Sequence, residues 1–469
     1  AQVLTLDAIK SGQTVKITAD TEEASSAIAL TVKDATASAP ASSLTVEAFL
    51  DGVAAAATAN IDDLRTNTVT TLNLDLAGAD TDVTAFALDG LSADKASTVV
   101  ITGEEKLTVG AIDAADDATL DFSGHTGTVA VTVDTSNDYT VKGSSTAANT
   151  FTMAAGLDAD DVITGGTSTS DTLSATITGL TTTTGKLNVS NVETLTFLTA
   201  TTAATIDATS ITGADTIRVT GNGTHGGDSS VNTTFTNLAS GVKIGLGSNT
   251  SNSADSYKST VAIGLADSSG SSDSVTVELG ARNEDNDITA TLTGTGIETL
   301  NITDSTTAKD ATLDVSGFKA ASVVVTGGLA DEALDIGTLS TSTTSVDASA
   351  YAGKLTAAAA SGVATTFSSK IGNSLTGSTS TDTFTIGTSA AHTATVGTVD
   401  GGTGSDTLTV YAAASTDLED VVGVETINIV LDDINSYTAL VATDGSDGIE
   451  IATTINFSGG KAGQVYTIS

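Results

Sequence analysis

The chain has 469 residues, a formal net charge of −40, 46 Gly, 39% hydrophobic residues and only 3% aromatics. An acid excess on this scale excludes a nucleic-acid binder, which needs a basic footprint, and it disfavours an anionic membrane surface. Zero Cys excludes disulfides, thiol chemistry and Cys-ligated zinc or iron–sulfur sites, and no run approaches the ~18 apolar residues of a spanning helix, so no transmembrane segment is expected.

The chain opens on Ala1 rather than Met, which reads as a processed or partial chain, and no charged-then-apolar leader precedes it. The apolar residues are mostly Ala, Val, Ile and Leu and the polar ones Thr and Ser. Thr, Val and Ile favour strands, and small side chains suit narrow stacked β-coils. The stretch from Leu44 to Ala59, with Val46, Phe49, Leu50 and Val53 apolar, is the one helix candidate. Short strands are expected at Thr98–Thr102, Thr128–Thr132, Asp215–Val219, Ser322–Thr326 and Thr426–Val430, each bounded by Gly, Asp, Asn or Ser.

Two motifs recur. The first is apolar-Asp followed by a small patch, as at Leu88-Asp89-Gly90, Leu120-Asp121-Phe122-Ser123-Gly124, Ile206-Asp207-Ala208, Leu313-Asp314-Val315-Ser316-Gly317 and Val346-Asp347-Ala348. Its Asp is read as a turn cap that bonds backbone N–H groups. The second is apolar-Glu-Thr-apolar, at Val192–Leu195, Ile297–Leu300 and Val424–Ile427. Landmarks also recur in order. Ser11-Gly12 maps to Ser240-Gly241, Leu72-Asn73 to Leu300-Asn301, Asp89 to Asp314, Asp121 to Asp347, Asp171 to Asp406 and Glu193 to Glu425, all offset by 225 to 235 residues. The expected architecture is therefore all-β: two tandem duplicated units, 1–229 and 230–469, of β-solenoid or β-roll character. An additional strand layer is expected over roughly the first 50 residues of each unit, which lack the Asp motif.

The sharpest chemical signal is Asp400-Gly401-Gly402-Thr403-Gly404-Ser405-Asp406-Thr407-Leu408-Thr409, which fits the nonapeptide G-G-x-G-x-D-x-U-x. Glycines allow a tight turn with inward carbonyls, and the Asp adds a carboxylate. Stacked turns of this kind can supply the six or so oxygens that Ca²⁺ prefers. Degenerate copies place Asn373 and Asp382 in one neighbouring turn, and Asp161 and Asp171 in the other unit. The candidate metal ligands are thus Asp161, Asp171, Asn373, Asp382, Asp400, Gly401, Gly402, Gly404 and Asp406. Other acidic clusters, Asp113–Asp117, Asp158–Asp161, Glu284–Asp287 and Asp444–Asp447, read as solvated loops. His125, His225 and His392 are far apart and form no H-E-x-x-H motif, and neither G-x-S-x-G nor a phosphate loop occurs. His125 is expected at the surface, and no catalytic or cofactor-binding residues are assigned.

The Val-Glu-Thr-Leu/Ile strands, the Leu-Asp-x-Ser-Gly motif, the Thr/Ala/Ser richness and the Gly-Gly-x-Gly-x-Asp turn together resemble bacterial surface-layer proteins of the RTX type, as in Caulobacter and Campylobacter. The resemblance covers most of the chain and is closer in the second unit. It implies a non-enzymatic, extracellular protein exported by a type I system, folded by Ca²⁺ and assembled with copies of itself into a two-dimensional lattice. It also implies a lipopolysaccharide-binding anchor, which is not evident in these residues. Two other readings stand beside it: a secreted β-solenoid adhesin or matrix filament, and the non-catalytic region of a secreted RTX enzyme.

Overall fold

The computed structural model describes residues 2–21, 28–34, 43–52, 57–66, 69–76, 83–133, 137–153, 157–177, 180, 185–199, 203–221, 231–248, 257–280, 288–306, 310–330, 332–370, 373–390, 392–418, 420–431 and 452–459. Among these the protein is nearly all β, and its only helical element is a 3-10 turn at Ala208–Ser210. The chain forms two compact units, one of residues 1–200 with 204–217, the other of residues 201–203 with 218–469.

In the first unit the chain alternates between two parallel sheets. The first sheet runs from Gln2–Ile9 through Ile28–Asp34 and Ala57–Thr66 and on to Thr194–Thr199. The second runs from Gln13–Thr21 through Ser43–Gly52 and Thr71–Leu76 and on to Ile211–Thr212. One pass through both sheets is one coil of a β-solenoid. Residues alternate in and out along each strand, so Leu72, Leu74 and Leu76 point inward while Thr71, Asn73 and Asp75 are half-buried. Register then stacks like on like. Leu44, Leu72, Val99, Leu120, Val141 and Ile163 are aligned partners in successive coils, each no more than 1% exposed. Each fully buried aliphatic side chain contributes about 1.5–3 kcal/mol of burial energy.

The second unit repeats the scheme. Its first sheet runs from Val231–Leu238 to Val421–Val422, and its second from Lys243–Ser248 to Thr454–Gly459. The core is again a register-aligned column, and at Phe367–Phe384 it becomes aromatic, with rings stacked 5.2 Å apart at 3°.

The five expected strands are present, as Thr98–Gly103, Val129–Val133, Thr216–Gly221, Ser322–Gly327 and Thr426–Leu431. The helix expected from Leu44 is a strand instead, Ser43–Gly52. Leu44, Val46 and Ala48 are buried alternately, and the strand pairs with a neighbour on each side. Ladder hydrogen bonds and a period of two outweigh a loose helical spacing. The opening strands expected as an extra layer are simply the first coils of the same two sheets, because Gln2–Ile9 pairs in parallel with Ile28–Asp34. The recurring landmarks behave unevenly. Gly12 and Gly241 both turn the chain from first to second sheet at positive φ, 74° and 87°. Asp89 and Asp314 both lie on first-sheet strands, and Asp121 and Asp347 on second-sheet strands. Asp171, however, opens a first-sheet strand and Asp406 a second-sheet one, half a coil out of step.

Candidate functional site

The chemistry of this chain is concentrated in the turn before each strand. Asp382 precedes Thr383–Ile386 and is fully buried. Its Oδ2 accepts from the N–H of Ser378 in its own turn (2.7 Å), and its Oδ1 accepts from the N–H of Thr365 one coil earlier (2.6 Å). Asp171 does the same in the first unit, with Oδ2 on Gly166 N–H (2.8 Å) and Oδ1 on Asn149 N–H (2.7 Å). Asp161 follows the pattern with Asp158 N–H (3.1 Å) and Tyr139 N–H (2.9 Å). A buried N–H left unpaired is costly, and each carboxylate satisfies one in its own coil and one in the coil before.

The Glu of the second motif extends these ladders. Glu193 Oε2 accepts the N–H of Asp171 (2.8 Å), Glu298 Oε2 that of Asp273 (2.9 Å) and Glu425 Oε2 that of Asp406 (2.7 Å). Asp382 N–H in turn donates to Asp406 Oδ1 at 2.8 Å. Asn149–Asp171–Glu193 and Asp382–Asp406–Glu425 are therefore continuous staples from coil to coil. Sequence reasoning kept the Asp and Glu motifs apart. The joining signal was available: Asp171-Thr172-Leu173 and Glu193-Thr194-Leu195 are the same acid-Thr-Leu triplet one coil apart. Four of the other recurrent aspartates make the local bond expected of a cap, Asp314 and Asp347 from within strands rather than turns. Asp121, Asp207, Asp314 and Asp347 accept the N–H two residues on, from Ser123 (2.9 Å), Thr209 (3.0 Å), Ser316 (2.9 Å) and Ser349 (3.0 Å).

The nonapeptide turn lies between Gly397–Asp400 and Thr407–Asp417. Asp400 Oδ1 accepts Gly402 N–H at 2.9 Å, and Gly402 has φ +87°. Gly401 lies so close to the next coil that a Cβ there would sit 2.1 Å from the Gly423 carbonyl oxygen. Backbone bonds Gly377 N–H to Asp400 O (2.7 Å) and Thr403 N–H to Ser378 O (3.0 Å) bring this turn against the Asp382 turn. Asp382, Asp400, Gly401, Gly402, Gly404 and Asp406 are thus gathered on one edge of adjacent coils. Asn373 opens the strand paired with Gly397–Asp400, and its side chain lies outside the described residues. Asp161 and Asp171 are not gathered: the first enters a second-sheet strand and the second a first-sheet strand, at opposite edges of the coil.

Cation fit differs among these residues. Both oxygens of Asp171 and of Asp382 are met by N–H donors. Asp406 is buried, and its Oδ2 has no hydrogen-bond partner. Burial pushes its carboxyl above the usual range, and the charges of Asp382, Glu425 and Asp400 add to the shift. An orphaned acceptor among carboxylates, at the end of a glycine-rich turn, suits a hard cation. A second acidic group, Asp138, Asp158 and Asp161, brings ligand atoms within 4.8 Å of one another. There burial, reinforced by Asp158 and Asp138, pushes Asp161 up to about 6. Glu284–Asp287 and Asp444–Asp447 lie outside the described residues.

His125 is not at the surface. It is fully buried in the turn after Ala118–Asp121, and its Nε2 donates to the Glu105 carbonyl at 2.6 Å. Its ring packs against Gly103, where a Cβ would come within 3.0 Å of Cε1. Burial holds its pKa below the ordinary 6.5. His392 packs edge-on to Tyr411, ring centroids 5.7 Å apart, and His225 lies outside the described residues. No helix among the described residues is long and apolar enough to cross a membrane. Comparison of the chain with protein-family models, curated proteins and solved structures finds no match.

Proposed function

We propose that this chain is a structural, self-assembling extracellular protein of a bacterial surface layer, whose two-dimensional lattice depends on Ca²⁺. The observation that carries the reading is Asp406: a buried carboxylate with one oxygen unpartnered, ringed by Asp382, Asp400 and Glu425. Such a group is destabilising without a compensating positive charge. Asp406 and Asp400, with the carbonyls of Gly401, Gly402 and Gly404, would hold Ca²⁺ there, and Asp382 and Asn373 would flank it. Asp161, with Asp138 and Asp158, and Asp171 are the corresponding candidates in the first unit. The ion supplies charge and cross-links turns, and no reaction is assigned to it.

The scaffold reading is supported by how the acids are used. Buried Asp and half-buried Glu side chains staple one coil to the next, as in a framework built to persist. At −40, copies repel one another unless cations intervene. The resemblance to RTX-type proteins adds type I export, a cell-surface location and lipopolysaccharide as the cell-side partner.

The test is light scattering and electron microscopy of the purified chain through a calcium titration, followed by chelation. Ordered sheets that form with Ca²⁺ and dissolve on chelation are expected. Monovalent salt should substitute poorly, because it screens charge without bridging. Asp406→Ala should loosen the second unit and weaken the lattice. Equal assembly in chelator and in calcium would discard the calcium-bridged lattice. Long threads in place of sheets would favour the adhesin or matrix filament, and turnover of a polymer by the chain would favour the secreted enzyme.

A further inference from the structure

The second sheet of the second unit carries the longest register-aligned hydroxyl columns on its outward side. Nine of its strands from Ser274–Leu279 to Thr454–Gly459 open on Ser or Thr residues that are register partners of one another, while Thr393–Thr395 pairs further along Thr407–Asp417. The next outward column runs from Lys243 through Thr276 to Asn456, and Lys243 and Asp347 are its charged residues. Both columns are half-buried or exposed, while the residues between them fill the core in every strand but the last, where Ile455 is half-buried. The outward side of the opposite sheet instead mixes Lys258, Asp314, Asp335, Lys354 and Asp400.

We infer that this hydroxyl-lined sheet is a self-docking face, packed against the same face of a second copy of the chain. Three features point to a copy as the occupant. A hydroxyl both donates and accepts, so a field of Ser and Thr is complementary to itself under a two-fold axis. The outward carboxylates of this face are Asp347 and Glu278, fewer than in the acid-rich turns where copies of a −40 chain repel. The area also suffices: nine strands at about 4.8 Å spacing and six residues at about 3.3 Å give roughly 800 Å², which matches the partner share of a standard interface. Short side chains let two such faces approach to the usual sheet spacing of about 10 Å.

This inference rests on the self-assembly part of the proposed function and adds where the contact forms. The chain has no Cys, so a single introduced one reports proximity cleanly. Ser368 lies in Thr366–Ser369, the middle strand of the nine, near the axis of a face-to-face pair. With the full chain in calcium, Ser368→Cys should form an intermolecular disulfide, and Thr356→Cys on the opposite sheet should not. In sedimentation velocity, the pair Thr385→Glu and Thr409→Glu should weaken dimerisation by at least about tenfold, since like charges would meet at the contact. The pair Thr356→Glu and Thr398→Glu should leave it unchanged, with thermal melts showing all variants folded. If the first pair fails to fold, the disulfide comparison decides. A wild-type chain that stays monomeric, equal cross-linking at both sheets, or equal loss in both Glu pairs overturns the inference. A lattice that survives the Thr385 and Thr409 changes overturns this face and leaves the surface-layer proposal standing. A dimer through this face without any lattice does the reverse.

Discussion

Asp382 and Asp314 show how one residue type takes two jobs. Asp382 is buried and accepts N–H bonds from two coils, while half-buried Asp314 accepts only the Ser316 N–H at an irregularity within its own strand. Removing a buried acceptor strands its donors at about 1–3 kcal/mol each, so Asp382→Ala should cost the second unit at least about 3 kcal/mol. Asp314→Ala should cost about 1 kcal/mol, the scale of a lost cap. Urea unfolding of the two variants measures the difference. His125→Ala belongs with the expensive change, because it empties a buried site and strands the Glu105 carbonyl. Asp161 adds a pH signature. Its folded pKa of about 6 lies above the ordinary 3.8, so the folded state binds the extra proton. The stability this confers is complete below 3.8 and is lost as pH rises through about 6. His125 acts in the opposite sense, its stability lost as pH falls through a value depressed below 6.5. Unfolding midpoints of Asp161→Asn against wild type should diverge between 3.8 and about 6, with the variant flatter.

A coil is sensitive where backbone meets backbone. Gly401 and Gly241 both occur in turns, but they constrain the chain differently. A methyl at Gly401 would press to 2.1 Å on the Gly423 carbonyl, and that oxygen belongs to the next coil and cannot swing away. Gly241 faces open space and needs only its φ of +87°. Gly401→Ala should therefore destabilise the second unit by about 3 kcal/mol, the upper range of overpacking. Gly241→Ala should cost about 1 kcal/mol of backbone strain. Calorimetry of both would check the order, and equal losses would mean that the coils do not stack through the Gly401 turn.

For the whole molecule, charge sets the balance. A chain at −40 carries self-repulsion that its two compact units must bear. The acids are used inside as hydrogen-bond acceptors and outside as turn caps, while the second sheet of the second unit presents hydroxyls. Thermal stability should therefore rise with Ca²⁺ more steeply than with monovalent salt at equal ionic strength. Screening acts on all exposed charges, but only a divalent ion can sit between paired carboxylates. A melt that responds equally to both salts would reduce the cation to a screening role.

Much of the fold was legible in the sequence because a solenoid repeats its local rules. Period-two strands such as Ser322–Gly327, bounded by turn residues, need no distant information, and neither do Asx caps such as Asp121 and Asp207. The acidic composition and the nonapeptide turn likewise named the residues gathered around Asp406. What the tertiary structure alone decided depends on which coil lies beside which. Leu44 is in a strand because neighbours on both sides pair with it. His125 is buried because Gly103 in the preceding coil leaves room for its ring. Asp171 and Asp382 spend their oxygens on N–H groups because a carboxylate one coil on reaches an amide that the ladder leaves open. Asp406 keeps one oxygen free although its sequence context matches theirs. Local sequence sets strand and turn, but a buried donor or acceptor finds its partner some twenty residues away, through a register that only the stacked coils establish.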